Sequence, residues 1–191
     1  FFAIKGKISL SKIARPNVLT VRRMMTRDLL MTQPYNVLFL CKHNASRSLM
    51  AEAILNKIGG DRFVAYSAGV EPSPSAHPFT LEVLKQEGYD VTGLAPKSVN
   101  QFLQDNAPKI DLVIGLCNSL QQHADIDGKF PLTAHWHIND TDSVSADSEV
   151  EKAAFSQVLR QLSQRIHLLT NLPEDKIEHL AHPPTDASNT Y

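Results

Sequence analysis

The apolar positions of this 191-residue chain switch between two periodicities. Asn36-Val-Leu-Phe-Leu-Cys41 is a short, nearly unbroken apolar run, the pattern of a strand buried on both faces. Directly after it, residues 47–58 place Leu49, Met50, Ala53, Ile54 and Ile58 at helical spacing, and Gly59-Gly60 supplies a stop. The alternation then repeats. Phe63–Ala68 predicts a second strand, and Pro72, Pro74 and Pro78 mark a loop. Phe79–Gln86 predicts a helix ended near Gly88, and a short helix follows around Val99–Gln104. Asp111–Cys117 and Leu132–His137 predict the third and fourth strands. Ser148 and Glu151 form a capping box, ahead of a long helix striped by Val150, Ala154, Val158, Leu162, Ile166 and Leu169.

Strands alternating with helices imply a parallel sheet with helices packed on it. The expected architecture is one doubly wound α/β domain, a four-stranded parallel sheet flanked by helices, over residues 31–172. Residues 173–191, in a stretch rich in Pro, Asp, Asn and Ser, read as a flexible C-terminal tail.

Composition changes this picture at the N-terminus only. The chain is 42% hydrophobic and 20% charged, with a formal net charge of −1, so nothing general argues for nucleic acid or membrane. Residues 1–30, however, hold seven of the 19 Lys/Arg and one of the 20 acids. This basic extension reads as a transit peptide or as sequence foreign to the folded domain, read in frame ahead of Met31-Thr-Gln-Pro. It has no apolar run near the ~20 residues of a membrane span. Two cysteines, Cys41 and Cys117, give no disulfide framework and suggest a reducing, cytoplasmic setting.

The chemistry is concentrated in Cys41-Lys42-His43-Asn44-Ala45-Ser46-Arg47-Ser48, between the first strand and the first helix. Ligands of open α/β sheets bind at such carboxyl ends of strands. A turn of this length can wrap its N–H groups around an anion, and the helix behind it adds a positive N-terminal end. Both effects favour a thiolate, so Cys41 is expected to titrate well below the ordinary thiol value. Arg47 offers a planar fork of donors to a tetrahedral oxyanion, and Ser48 a hydroxyl to the sulfur.

This segment resembles the phosphate-binding loop of the low-molecular-weight protein tyrosine phosphatases and of the arsenate reductases that share their flavodoxin-like fold. The family pattern is C-x5-R-S with Asn in fourth place, which Cys41, Asn44, Arg47 and Ser48 fit; His43 stands where many members have Gly. Ala65-Tyr66-Ser67-Ala68-Gly69, His77-Pro78, Thr133-Ala134-His135-Trp136 and Ala153-Ala154-Phe155 resemble the reductase branch. The resemblance runs from Asn36 to Pro173.

It implies thiol-dependent arsenate reduction, with Cys41 as nucleophile, Arg47 as oxyanion clamp and Asp140 as general acid. Thr141 follows Asp140 where the family has Pro, and Asp142 is a fallback. Release of arsenite needs a second thiol. Cys117 matches the first of two relay cysteines of thioredoxin-coupled relatives, but Ala124 stands where the second belongs. Two routes stay open: attack by Cys117, with glutaredoxin or thioredoxin reducing the disulfide, or attack by glutathione or a similar thiol.

No tightly bound cofactor is implied. Some relatives hold a potassium ion beside the loop; Asn44, Glu52 and Ser67 match three of its ligands, while Val99 replaces the fourth, an Asp, which leaves such a site weakened or lost. Lys42 and Lys97 are candidates for steering anions. His135 and His137 alternate along one strand, without a third ligand that would make a metal site. The alternatives are a phosphatase acting on phosphotyrosine or small phosphate esters, and a catalytically silent oxyanion-binding domain.

Overall fold

The computed structural model describes residues 33–117, 133–139 and 148–181. Strand β1 (Tyr35–Cys41) lies at the centre and is buried from Val37 to Cys41, as its apolar run requires. It pairs in parallel with β2 (Phe63–Gly69) on one side and with β3 (Leu112–Gly115) on the other. The short β4 (Ala134–His135) extends the sheet beyond β3, giving the order β2-β1-β3-β4. The order changes direction between β1 and β3, so a crevice opens at the carboxyl end of β1, where open α/β sheets bind ligands.

Helix α1 (Arg47–Ile58) packs on β1 and β2. It stops because Gly59 donates back to the carbonyl of Leu55 (2.7 Å) and Gly60 then turns left-handed at φ +57°. Helix α2 (Pro78–Gln86) begins with Pro at its first position, where no N–H is needed. Val99–Leu103 forms a 3-10 helix. The long α3 (Ser148–Thr170) packs against α1 and α2 and buries Phe155, Val158, Leu159, Leu162, Ile166 and Leu169. Two details differ from the periodicity. Val150 is 51% exposed, whereas Phe155 and Leu159 carry the stripe into the core. Ser148 is already helical.

The flexible-tail reading from residue 173 onward is corrected over its first part. Glu174–Ala181 forms a further helix, α4, whose Ile177 is fully buried. Arg62 holds the junction, donating to the carbonyls of Thr170 (3.1 Å) and Leu172 (3.0 Å) and to the Glu174 carboxylate (3.0 Å). It thereby satisfies carbonyls that the end of α3 leaves open. Among the described residues, no helix is long and apolar enough to cross a membrane.

Ile177→Ala is expected to lower the unfolding free energy by about 2–4 kcal/mol, the cost of emptying a buried aliphatic site, as read by urea denaturation. A loss below about 0.5 kcal/mol, the range of surface positions, would return α4 to the status of a loose tail.

Candidate active site

Cys41 ends β1 in register with Gly69 of β2, and the chain then turns through residues 42–46 into α1. The turn is held from outside. The carbonyl of Lys42 accepts from the N–H of Glu71, that of His43 from Ser73 and that of Ala45 from His77, each at 2.9 Å. Ala45 also accepts from the Thr80 hydroxyl, and Ser46 from the N–H of Met50. With these carbonyls committed elsewhere, the N–H of Asn44 points at the Cys41 sulfur (3.2 Å), and that of Ser48 also bonds to it. Here the polypeptides of loop and β2 nearly touch. A Cβ on Gly69 would lie 2.8 Å from the Lys42 carbonyl oxygen and 3.0 Å from the Asn44 nitrogen, so only glycine fits.

Asn44 is the keystone of the turn. Its φ of +49° is left-handed, a conformation asparagine tolerates better than most residues, and it is fully buried. Its amide is fully used. Nδ2 donates to Ser48 Oγ (2.7 Å) and Ser67 Oγ (2.8 Å), while Oδ1 accepts from the backbone of Lys97 (2.6 Å). Because Lys97 N–H can only donate, this pattern fixes which amide atom is oxygen. Ser48, receiving from Asn44, also meets Cys41 Sγ 2.8 Å away and has a proton to give to a thiolate there. Ser67 in turn donates to Glu52, whose carboxylate also receives the Lys97 ammonium (3.0 Å).

Arg47, the first residue of α1, is 4% exposed, and its charge acts on Cys41. The thiol itself departs from expectation. Burial raises Cys41 above the ordinary thiol value; the Ser48 hydroxyl, the Arg47 charge and the N–H groups of Ser48 and Asn44 work against burial without overcoming it. The expected depression is thus corrected in sign. The donors belong to the loop, but the desolvation comes from the strand, which leaves the residue only 2% exposed.

The remaining candidates divide into two groups. Lys42 pairs with Glu71 on the surface (3.5 Å), and Lys97 is engaged with Glu52, so neither ammonium is simply spread toward solvent for steering. Val99 is buried. Cys117 is also buried; since Leu40 is opposite Gly115, it lies one residue past the register of Cys41 on the adjacent chain. His135 and His137 share a face with rings 4.6 Å apart, and His135 Nε2 meets the Cys117 carbonyl (2.9 Å). Among the described residues, no group of three or more His, Cys, Asp or Glu is placed to hold a metal. Asp140, Asp142 and Ala124 lie outside the described residues.

Two residues of the resembling segments have roles that the sequence alone does not assign. Gly69 makes room for the loop. His77 caps α2, stacks on Phe155 (4.5 Å) and approaches Glu151 (3.3 Å), tying the first turn of α3 to the chain that holds the loop. The proline at position 78 and the Ala68-Gly69 strand end were the available signals.

A buried thiol facing backbone N–H groups, with an arginine at the start of the following helix, has the features of a site for a tetrahedral oxyanion. Residues 36–178 match the model of the low molecular weight phosphotyrosine protein phosphatase family, and the chain belongs to that family. It is 29% identical over 130 residues to an arsenate reductase of Halalkalibacterium halodurans, covering 68% of this chain and 91% of that protein. It is 35% identical over 81 residues to the glutaredoxin arsenate reductase of Synechocystis sp., covering 42% of this chain and 59% of the relative. A solved structure of an arsenate reductase in the phosphate binding state aligns with a TM-score of 0.58 and 27% identity, over 71% of this chain and 96% of that one.

Gly69→Ala is expected to cost about 1–3 kcal/mol of stability, because the neighbours it would strike are backbone. It should also weaken protection of Cys41 by phosphate, measured by iodoacetamide alkylation. For the native protein, alkylation should rise with pH to a midpoint above the ordinary value of about 8.5. Ser48→Ala should move that midpoint higher still, because a hydrogen bond to the thiolate is lost. A native midpoint below the ordinary value would mean that the loop donors outweigh burial.

Proposed function

We propose that this chain is a thiol-dependent arsenate reductase. The observation that carries the reading is the Cys41–Ser48 loop itself: a cysteine sulfur facing inward N–H groups, with Ser48 and Arg47 beside it. The arsenate reductases it resembles supply the oxyanion; the chain covers 91% of the Halalkalibacterium relative and 59% of the Synechocystis one.

The chemistry follows from a thiol that holds its proton until substrate arrives. Cys41 sulfur attacks arsenic and forms an S–As bond. A hydroxyl of hydrogen arsenate leaves as water with a proton from Asp140 as general acid, and the thiol proton passes to the carboxylate so formed, leaving Asp140 as it began. The adduct still holds As(V). A second thiol then attacks the Cys41 sulfur, forming a disulfide and leaving the S–As electron pair on arsenic. Arsenite departs, two thiols having been oxidised and arsenic reduced by two electrons.

Cys117 and an external thiol of the glutathione class are the two sources of that second sulfur. The position of Cys117 beside the end of β1 supports the first. Ala124, where a further relay cysteine would stand, supports the second. Glutaredoxin or thioredoxin restores the resting thiol in either case. The family description favours one competing reading, a phosphatase, in which water rather than a thiol would resolve a phosphoryl–Cys41 intermediate.

The test is arsenite release from arsenate by the purified chain, with glutathione plus glutaredoxin and, separately, thioredoxin plus its reductase. Cys41→Ser should abolish it. Cys117→Ser should abolish it only if the internal route operates. Hydrolysis of an aryl phosphate that depends on Cys41, with no arsenite from either donor, would replace the reductase by the phosphatase.

A further inference from the structure

Lys97 lies 53 residues from Asn44 in the chain, yet it grips the cradle twice. Its backbone N–H donates to Asn44 Oδ1 at 2.6 Å. Its ammonium donates to Glu52 Oε2 at 3.0 Å and to the carbonyl of Ala95 at 3.3 Å. Glu52 accepts from Ser67, Ser67 from Asn44, and Asn44 also donates to Ser48, which meets the nucleophilic sulfur. A continuous path of polar contacts therefore joins the Lys97 ammonium to Cys41.

We propose that Lys97 is a positioning residue for the reaction, a tethered cation that neutralises Glu52 and so keeps the hydroxyl and amide donors of the path directed toward Cys41. The surroundings call for one. Glu52 is only 14% exposed in its side chain and stands within a chain of contacts of the site that must attract an anion. Without a compensating positive charge, its field would repel both the oxyanion and the thiolate. The Lys97 side chain is itself 25% exposed, so the pair is screened less than a surface pair. The oxygens around it, from a carboxylate and a peptide carbonyl, would equally accept a small free cation once the lysine is shortened. This role differs from anion steering, because the charge is spent on Glu52 rather than displayed to solvent.

The assignment rests on Cys41 as the nucleophile and not on which oxyanion is processed. Its test therefore reads Cys41 directly. The full chain is alkylated with iodoacetamide, modification of Cys41 is followed by mass spectrometry, and inorganic phosphate is added to measure protection. Lys97→Met in tetramethylammonium chloride should slow alkylation and weaken phosphate protection, each by about tenfold, the size of a partly screened charge contact. Ammonium or potassium chloride at equal ionic strength should restore much of both in Lys97→Met and change the native protein little. Lys97→Arg should retain most of the native rate.

The paired variant Glu52→Gln/Lys97→Met removes the charge and its neutraliser together, and should recover much of what Lys97→Met loses. Native behaviour of Lys97→Met would overturn the proposal. So would a folded Lys97→Met protein equally impaired in every salt and unrelieved by Glu52→Gln, which would reduce Lys97 to a packing role. Loss of arsenate reduction with the alkylation pattern intact would count against the substrate and leave the role of Lys97 standing.

Discussion

The structure depends on where the peptide carbonyls of one tight turn are sent. An anion cradle needs several N–H groups facing inward, and that is possible only if the intervening carbonyls find partners elsewhere. Here residues 71–80 supply them, with the N–H groups of Glu71, Ser73 and His77 and the hydroxyl of Thr80. The strand, the turn and the following segment are thereby one unit. The close approach of Gly69 and the left-handed Asn44 are local adjustments that allow it. The Cys41 thiol is thus positioned by backbone bonds, and side chains refine what the backbone has set.

A second balance is electrostatic. The sulfur sits at the buried end of the central strand, which resists charge, and at the start of a helix beside Arg47, which invites it. Burial prevails, and it holds the thiol above its ordinary value against the donors of the turn. Asn44 connects this balance to a carboxylate that would otherwise oppose it, with each of its amide atoms committed.

What could be read without coordinates follows the range of the interactions. The sheet, its parallel sense and the Cys41–Ser48 loop were legible, because strand, turn and helix there are consecutive and their patterns are local. The partners of that loop were not. Gly69, His77 and Lys97 act across the fold, and no periodicity announces that a glycine must clear a loop or that a lysine faces a glutamate. The last helix was overlooked for a related reason. Its hold on the domain includes the buried Ile177 and Arg62, a residue 112 positions away from its partner Glu174. The stripe of α3 was drawn through Val150 because 150, 154 and 158 are regularly spaced, while Phe155 turns inward to meet the rings of His77 and Phe79.

The preorganisation of the cradle has a consequence for selectivity. A site whose donors are already fixed loses little freedom when it is filled, so it holds any ion of suitable shape and charge. Phosphate and arsenate are near-identical guests by that standard, and in a living cell phosphate is the commoner. A reductase built on such a floor would spend much of its time occupied by the wrong ion. Its choice between the two must therefore be exercised after capture, in which sulfur adduct forms and can be resolved by a second thiol. On this view arsenic chemistry on such a scaffold is a matter of partitioning among bound states, with affinity as a shared entrance fee.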